Sequence, residues 1–399
     1  MKSKKGSFAI SNIFRSFINY RAFNKLTPDK RNIVFYSESG QDWHHFEKTI
    51  STLLLMSKQV CYITSDRKDP GLSLENPLFK SFFIGEGFWQ IYLFQFLKAD
   101  CMVLTMIDLN VFQLKRSISP VHYVYLFHAM GSTHMVDFEN SYDYYDSILC
   151  VGPHQIAEIR KREQLKNLPS KNLVEHGYGR IEELMKQSET KKRLPAKPYT
   201  ILLAPTWGDK SILNICGKEL IGILLHAGYN LILRPHYQTC KLTPQIIDDI
   251  LSTYGNHSSF KYVNLMGDTQ SLFDSDLLIC DWSSTSIEYA LGLEKPVLYI
   301  DVPRRVRNQN YLELGIEPME VSIRSEVGMV LSPEELEKAP TMIDSLLSDP
   351  DQFSERITSL RKRIIFNLGE SVEVGAKEIA KIAETVRNKR ISEKLKASE

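Results

Sequence analysis

Short apolar segments alternate with helix-like segments along most of the chain, and this alternation runs twice. In the first half, strands are predicted at residues 32–37, 59–64, 80–84, 101–105, 122–127, 147–151 and 172–176. In the second half, they are predicted at residues 200–204, 230–233, 260–263, 276–280 and 296–300. Strands that alternate with helices favour a parallel sheet covered by helices on both faces. The predicted fold class is therefore α/β, with two Rossmann-like lobes that face a cleft.

The boundary between the lobes is predicted from a change in composition. Residues 188–198 are polar, charged and contain two prolines, which is typical of a linker. Residues 32–187 would then form the N-terminal lobe, and residues 199–366 the C-terminal lobe. Residues 1–31 form a separate basic segment, and residues 367–399 are predicted to form a charged C-terminal helix.

The N-terminal segment differs in charge from the rest of the chain. Residues 1–31 carry eight basic side chains and one acidic side chain, although the whole chain has a net charge of only +1. Phe and Ile residues lie between these charges at spacings that resemble one face of a helix. Residues 1–25 therefore suit an anionic membrane surface, or else a helix that packs on the chain's own body. The near-neutral total argues against nucleic acid as a partner.

Residues that follow predicted strands are the first candidates for a site, because parallel sheets bind ligands at the carboxyl ends of their strands. In the N-terminal lobe, His128 follows the strand at 122–127 and could act as a general base, since the pKa of histidine lies near neutral pH. The alternative for His128 is a structural histidine bonded to a backbone carbonyl.

The C-terminal lobe has three strand ends that suit an anion. Thr206 lies in a turn that offers a hydroxyl and backbone amides, and Arg234 with His236 would form a cationic clamp for a pyrophosphate. The third strand opens a helix whose free N–H groups attract anions, with Glu288 placed to accept hydrogen bonds from polyol hydroxyls. The residues of this third group are Ser283, Ser284, Thr285 and Glu288. Taken alone, each group also has a structural explanation as a turn, a surface ion pair or a helix cap.

Together, these groups indicate the transfer of a group from a nucleotide diphosphate to a hydroxyl acceptor. Positioning, electrostatic relief of the leaving phosphate and removal of the acceptor proton would supply the catalysis. Neither a G-x-G-x-x-G motif nor a P-loop lysine motif is present, which argues against an NAD enzyme or an ATPase.

The segments FHAMGSTH, APTW, RPH and CDWSSTSIE, followed by KPVLY, resemble the CDP-glycerol glycerophosphotransferases of teichoic-acid and capsule synthesis. The resemblance spans about residues 30–300 and implies a GT-B architecture. It also implies a CDP-activated donor in the C-terminal lobe and a polyol-phosphate, glycan or lipid-linked acceptor in the N-terminal lobe. Neither a metal nor another cofactor is implied, and the expected location is the cytoplasm, at the inner face of a bacterial membrane.

The resemblance also implies a role for each matching residue. His128 would activate the acceptor hydroxyl, while Arg234 and His236 would hold and neutralise the donor phosphates as CMP leaves. Residues 283–285 and Thr206 would bind phosphate, and Glu288 would bind a sugar or glycerol hydroxyl. On the acceptor side, the predicted residues are Ser39, Gly40, Ser132 and His134.

The sequence departs from the family pattern in two places. The stretch after His128 lacks the usual basic residues, and Gly208 stands where an arginine often follows the APT-aromatic turn, with Lys210 as the nearest cation in sequence. These departures leave open a ribitol-phosphate transferase or a GT-B glycosyltransferase that uses a nucleotide sugar. A related nucleotide-sugar 2-epimerase, or a non-catalytic module that binds a nucleotide or glycan, would also fit. The adjacent His44 and His45 are not expected to bind a metal, because neighbouring side chains on a helix diverge.

Overall fold

The protein is described by a computed structural model that covers residues 2–191, 195–264 and 269–396, with side chains from residue 12 onward. The chain divides into two compact units. The N-terminal unit comprises the chain up to His128, the segment Asp137–Gly179 and the segment from Ile365 onward. The C-terminal unit comprises Ala129–Val136 and Arg180–Ile364.

The N-terminal unit is built on a seven-stranded sheet whose neighbouring strands are all parallel. The strands lie in the order β3-β2-β1-β4-β5-β6-β7. The strands β1, β2, β4 and β6 are buried along their whole length, as expected for a sheet covered on both faces. The bounds are β1 (Ile33–Ser37), β2 (Val60–Thr64), β3 (Phe79–Phe83), β4 (Cys101–Leu104), β5 (His122–Leu126), β6 (Ser147–Cys150) and β7 (Asn172–Glu175).

Helices connect these strands at points that the sequence marks clearly. The fourth helix of the unit, for example, begins with Pro153 in its first turn and ends at Asn167, which adopts a left-handed conformation with φ of 51°. Proline favours a helix start and a left-handed Asn favours a helix end. The helices are α1 (Lys2–Lys25), α2 (Trp43–Leu55), α3 (Phe88–Phe96) and α4 (Pro153–Lys166), with 3₁₀ turns at Pro28–Arg31 and Pro70–Ser73.

The C-terminal unit contains a second sheet of six parallel strands. Their order is β10-β9-β8-β11-β12-β13, so the ends of β9, β8, β11 and β12 lie side by side. The bounds are β8 (Thr200–Leu203), β9 (Asn230–Leu233), β10 (Phe260–Tyr262), β11 (Leu277–Cys280), β12 (Val297–Ile300) and β13 (Gly328–Leu331).

Helices of the C-terminal unit pack on this sheet around a buried aliphatic cluster that includes Leu203, Ile221 and Ile279. Two further 3₁₀ turns lie at Tyr311–Leu314 and Leu336–Lys338. The helices are α5 (Gly179–Thr190), α6 (Ile212–Ile215), α7 (Gly217–His226), α8 (Tyr237–Leu242), α9 (Pro244–Tyr254), α10 (Gln270–Asp274), α11 (Thr285–Leu293), α12 (Met319–Ser322), α13 (Arg324–Val327), α14 (Ala339–Leu346) and α15 (Pro350–Ile364).

The last helix, α16 (Ser371–Lys396), belongs to the N-terminal unit. Its residues Ala376 and Ile379 join the apolar cluster around Phe46 of α2. Arg390 then donates hydrogen bonds to Asp100 Oδ1 at 2.7 Å and to the carbonyl of Ala99 at 2.8 Å. The end of the chain thus completes the core of the unit in which the chain began.

The twelve predicted strands are all confirmed, each within one residue at either end. The thirteenth, β13, was not predicted. The predicted linker 188–198 overlaps α5, which extends to Thr190, and the compact units divide at Gly179 instead. Residues 192–194 of the predicted linker lie outside the described residues. Across the described segments, no helix has the length and apolar character needed to cross a bilayer.

Candidate functional site

Four neighbouring strand ends form the candidate site of the C-terminal unit. Because β9, β8, β11 and β12 are parallel and adjacent, the residues that follow them lie side by side at the carboxyl ends of the strands. This end of the sheet is called its carboxyl edge. The first three of these loops carry the predicted residues Thr206, Arg234, His236 and 283–288. The sheet therefore brings the predicted donor residues together at its carboxyl edge.

Asp281 holds the loop that follows β8. Its carboxylate is buried, and it accepts hydrogen bonds from the amide of Thr206 at 2.8 Å and from the amide of Ile212 at 3.2 Å. Burial raises the pKa of Asp281, and these donors oppose the rise by stabilising the charged form. Asp281 thus fixes the position of Thr206, a role that the sequence analysis did not assign.

Trp207 links this loop to the loop after β9. Its ring stacks on the ring of His236, with 6.0 Å between centroids and 29° between planes. The guanidinium carbon of Arg305 also lies over the Trp207 ring, at 4.7 Å from its centroid. Arg305 follows β12, so one aromatic side chain connects residues from three loops.

His236 contributes a hydrogen-bond donor to this site. Its Nδ1 accepts a hydrogen bond from the amide of Gln238 at 3.1 Å, which places the proton of the neutral ring on Nε2. Burial, and secondarily the charge of Arg305, lower the pKa of His236 below its usual value. The ring is therefore neutral at pH 7, and the cationic clamp predicted for Arg234 and His236 has one permanent charge, that of Arg234.

Arg234 directly follows β9 and is half-buried. Its Nη1 donates a hydrogen bond to Ser271 Oγ at 3.2 Å, at the start of α10. The backbone amide of Arg234 also donates to the carbonyl of Leu203, which keeps the end of β9 paired with β8. The guanidinium is thus anchored at the edge where Thr206 lies.

The start of α11 offers a helix N-terminus whose first amides are already paired, since those of Ser286 and Ile287 donate to the carbonyls of Ser283 and Ser284 at 3.2 Å and 3.1 Å. Ser284 precedes the helix, and no side chain caps it at that position. Ser283 Oγ instead accepts a 3.3 Å hydrogen bond from the amide of Thr285, and Ser286 donates to the carbonyl of Ser283. The N-terminus of this nine-residue helix carries partial positive charge that favours a phosphate.

Glu288 lies one turn into α11 and forms an ion pair. Its Oε2 is 3.7 Å from Nε of Arg180 in α5, and about a fifth of each side chain is exposed. This pairing fixes the orientation of the carboxylate that was predicted to bind a polyol hydroxyl. Since a carboxylate has lone pairs for several donors, the pairing leaves acceptor capacity for a hydroxyl.

Three arginines after β12 were missed by the sequence analysis: Arg304, Arg305 and Arg307. The available signal was the run RRVR, which follows the predicted strand at 296–300. Arg305 supplies a positive charge beside Trp207. Gly208 itself has φ of 98°, a conformation that residues with a side chain rarely adopt.

The N-terminal unit places His128 in a cluster of aromatic rings. Its Nδ1 is 3.4 Å from the hydroxyl of Tyr125, and its carbonyl accepts a hydrogen bond from Tyr178 at 2.9 Å. The ring of His45 lies 5.6 Å away, centroid to centroid, and His44 lies next to it. Burial and the charge of His44 lower the pKa of His128, against an opposing effect of Asp42. His128 is therefore neutral at pH 7 and has the capacity to accept a proton.

The predicted acceptor residues Ser39 and Gly40 lie in the loop between β1 and α2. The amide of Gly40 donates to Asp66 Oδ2 at 3.0 Å, and the amide of Ser39 donates to Asp42 Oδ2 at 3.2 Å. The backbone amides of both residues are thus used to hold the loop in place.

The structure places Ser132 and His134 in the C-terminal unit, not in the N-terminal unit to which the sequence analysis assigned them. The hydroxyl of Ser132 accepts a hydrogen bond from the amide of Met319 at 2.6 Å, and its amide donates to Glu320. His134 Nε2 lies 3.1 Å from the carbonyl of Ile316. Both side chains are buried, so the structure supports a structural role for them.

Within residues 2–191, 195–264 and 269–396, no group of three or more His, Cys, Asp or Glu side chains is arranged to hold a metal ion.

Comparison with known families and structures gives a consistent result. The family model for CDP-glycerol:poly(glycerophosphate) glycerophosphotransferase matches residues 94–303, more than half of the chain. The chain belongs to this family. The match covers His128 and the donor residues predicted from the sequence, whereas Arg305 lies just beyond it. A comparison with curated proteins found no match.

Solved structures agree on the fold. The chain is similar to the wall teichoic acid polymerase TagF in a structure soaked with CDPG. The two are 16% identical and superpose with a TM-score of 0.54, over 96% of this chain and 99% of that chain. A UDP-N-acetylglucosamine 2-epimerase from Rickettsia bellii is similar with 11% identity and a TM-score of 0.56, over 89% of this chain and 97% of that chain. The predicted two-domain α/β fold of the GT-B type is confirmed.

Proposed function

We propose that the protein transfers glycerol phosphate from CDP-glycerol to a hydroxyl of a polyol-phosphate, glycan or lipid-linked acceptor. The acceptor oxygen attacks the phosphorus that carries glycerol, and the bond from that phosphorus to the bridging oxygen breaks. CMP leaves with the bridging oxygen, and the proton of the acceptor goes to a base. Family membership together with the shared edge of β9, β8, β11 and β12 supports this proposal.

The donor diphosphate would bind at that edge. Arg234 and Arg305 supply positive charge, the Nε2–H of His236 donates a hydrogen bond, and the amides at the start of α11 add dipoles. These groups stabilise the negative charge that grows on CMP as it leaves. The contact between Trp207 and both Arg305 and His236 is the single observation that carries the assignment, because it joins three loops at one place.

His128 would remove the proton of the acceptor hydroxyl. Its lowered pKa keeps it neutral at pH 7, and its carbonyl is fixed by Tyr178. A neutral imidazole can accept this proton, and a negative donor phosphate bound nearby would favour its charged form. We expect His128→Ala to abolish transfer and to leave the affinity for CDP-glycerol unchanged, whereas Arg234→Ala weakens donor binding.

The nucleotide product tests this function against the competing activities. Purified protein is incubated with CDP-glycerol and glycerol-phosphate oligomers, and the nucleotide released is identified by mass spectrometry. CMP with a lengthened oligomer supports the proposal. Release of a nucleoside diphosphate from a nucleotide sugar would indicate a glycosyltransferase, and turnover without any acceptor would indicate an epimerase. Binding of CDP-glycerol without turnover would indicate a non-catalytic module.

A thermal-shift panel tests the choice of donor independently. CDP-glycerol, CDP-ribitol, CDP, UDP-sugars and GDP-sugars are compared, since a ligand that binds only the folded protein raises the melting temperature. We expect the largest increase with CDP-glycerol. A larger increase with a nucleotide sugar contradicts the proposed donor.

We also propose that α1 and α3 hold the protein on an anionic membrane surface. One face of α1 packs on its own unit, where Phe17 contacts Trp89 with 4.9 Å between ring centroids. The other face exposes Ile13 and Phe14, and α3 exposes Phe88, each to more than half of its surface. Apolar side chains next to basic residues suit the boundary between lipid headgroups and acyl chains.

Sedimentation with vesicles tests this contact. The protein should sediment with vesicles that contain anionic lipid, and the double variant Ile13→Ser, Phe14→Ser should remain in the supernatant. A matched control is Leu55→Ser, which changes an exposed apolar residue on α2. Equal sedimentation of the wild-type protein and the double variant would contradict the proposal.

A further inference from the structure

A series of hydrogen bonds leads from a carboxylate to His128 within the N-terminal unit. The hydroxyl of Tyr142 donates a 2.5 Å hydrogen bond to Asp137 Oδ2. The rings of Tyr142 and Tyr125 meet edge to face, with 5.0 Å between centroids, and a side-chain hydrogen bond joins the two residues. The Tyr125 hydroxyl in turn lies 3.4 Å from His128 Nδ1. These four side chains therefore form one continuous series.

Both tyrosines in the series stay protonated. Tyr125 is 1% exposed and Tyr142 is 4% exposed. Burial raises the pKa of each hydroxyl well above its ordinary value, and the negative charge of Asp137 adds to the rise. Each hydroxyl therefore keeps its single proton at neutral pH, and it can donate only one hydrogen bond.

This supply of protons fixes the direction of each hydrogen bond. Because Tyr142 donates its proton to Asp137, it can only accept from Tyr125. Tyr125 has then used its own proton, so its oxygen must accept from His128 Nδ1. The proton of the neutral His128 ring therefore lies on Nδ1, and the lone pair lies on Nε2.

We propose that Asp137, Tyr142 and Tyr125 hold His128 in the tautomer whose Nε2 can accept a proton. The source of that proton rests on the proposed function, in which the acceptor hydroxyl loses it to Nε2 as its oxygen bonds to phosphorus. The ring then becomes a cation that still donates from Nδ1 to Tyr125. In the Ser-His-Asp triad, a carboxylate bonded directly to the histidine fixes its tautomer. Here two hydroxyls transmit the same constraint, so both tyrosines are positioning residues that act through His128.

The variant Tyr142→Phe tests the series and leaves the contact between Tyr125 and His128 possible. Without Tyr142 as an acceptor, the Tyr125 hydroxyl can turn and donate to Nδ1, which moves the ring proton to Nε2. If about nine-tenths of the molecules take that tautomer, kcat for transfer should fall about tenfold, because only the remainder have a competent base. KM for CDP-glycerol should keep its wild-type value.

The matched control is Tyr145→Phe. Tyr145 is 2% exposed, and its ring lies 5.1 Å from that of Tyr125, centroid to centroid. Its hydroxyl donates to the carbonyl of Met106, outside the series. Tyr145→Phe therefore removes an equally buried hydroxyl beside Tyr125 and should leave both the tautomer and kcat unchanged.

Nitrogen NMR measures the tautomer independently of activity. In protein with isotope-labelled histidines above neutral pH, long-range proton–nitrogen correlations show which ring nitrogen carries the proton. The signals of His128 are those that disappear in His128→Gln. We expect the proton on Nδ1 in the wild-type protein and in Tyr145→Phe, and on Nε2 in Tyr142→Phe.

The proposal and the proposed function fail in different ways. A wild-type proton on Nε2 overturns the proposal, and this measurement does not depend on the folding of any variant. The wild-type tautomer in Tyr142→Phe, or the same change of tautomer in Tyr145→Phe, also overturns it. A change of tautomer in Tyr142→Phe without loss of kcat confirms the hydrogen-bonded series and contradicts the role of His128 as the base in the proposed function.

Discussion

Replacing Asp281 by asparagine tests whether the loop after β8 forms part of the donor site. The carboxylate of Asp281 is 1% exposed and holds the amides of Thr206 and Ile212. Asparagine retains one acceptor oxygen but turns its NH₂ group towards the second amide, so one of these hydrogen bonds is lost. Since a hydrogen bond to a charged group contributes about 1.5–3 kcal/mol, the free energy of unfolding should fall by about that amount.

The expected effect on donor binding separates this role from general stability. Displacement of Thr206 and Trp207 should weaken CDP-glycerol binding about tenfold, which corresponds to about 1.4 kcal/mol. Asp276→Asn is the matched control, because Asp276 is 2% exposed and accepts a 2.8 Å hydrogen bond from the amide of Thr200 at the opposite edge of the same sheet. This control should lose stability to a similar degree and keep its donor affinity.

Urea denaturation and calorimetric titration of the two variants give the answer. Two outcomes would contradict this role of Asp281: Asp281→Asn binds CDP-glycerol as tightly as the wild-type protein, or Asp276→Asn loses the same affinity as Asp281→Asn. In the first case, the loop after β8 is not part of the donor site. In the second case, affinity depends on the stability of the whole unit.

Two further predictions concern charge. Arg305→Met should weaken CDP-glycerol binding about tenfold, and it should raise the pKa of His236 because Arg305 lowers that pKa. If an NMR titration finds the pKa of His236 unchanged, the contact between Arg305 and His236 through Trp207 is contradicted. His176 is buried beside Gly375, and burial lowers its pKa to about 4. The unfolded chain takes up a proton near pH 6.5 while the folded protein does not, so stability present above pH 6.5 is lost as pH falls towards 4. Between pH 7 and pH 4.5, the wild-type protein should lose about 2–3 kcal/mol more than His176→Gln in urea denaturation, and equal losses would contradict the burial of a neutral ring.

The fold was largely predictable because parallel strands buried on both faces are continuous apolar runs. The missed strand, β13, is a short outermost strand of its sheet and begins with Gly328. A Cβ at Gly328 would lie 1.7 Å from the carbonyl oxygen of Val297, so the strand needs a residue that has weak strand propensity. Whether residues 328–331 form a strand therefore depends on their packing against β12, which cannot be read from the local sequence.

The boundary at α5 was missed for a similar reason. Residues near Thr190 are polar, and the charged, proline-containing stretch that follows suggested a linker from 188 onward. Earlier in the same helix, Leu184 is buried against Gly292 of α11, where a Cβ would lie 2.7 Å from the Cβ of Leu184. This contact between distant segments assigns α5 to the C-terminal unit.

The donor residues were predictable from one rule, that ligands bind after the carboxyl ends of parallel strands. The contact between Arg305 and Trp207 was not predictable, because it depends on the order of β8, β11 and β12 in the sheet. Ser132 and His134 were assigned to the wrong unit because their partners, Met319 and Ile316, lie more than 180 residues away. The sequence of a loop shows which chemical groups it carries, but it does not show which distant residues those groups contact.

A crystal structure of the protein with CDP-glycerol would show directly where the donor diphosphate binds. We predict electron density for the diphosphate within hydrogen-bond distance of Arg305 and of His236 Nε2, and next to the N-terminus of α11. Density for the diphosphate away from these three groups, with Trp207 still in contact with Arg305, would contradict it.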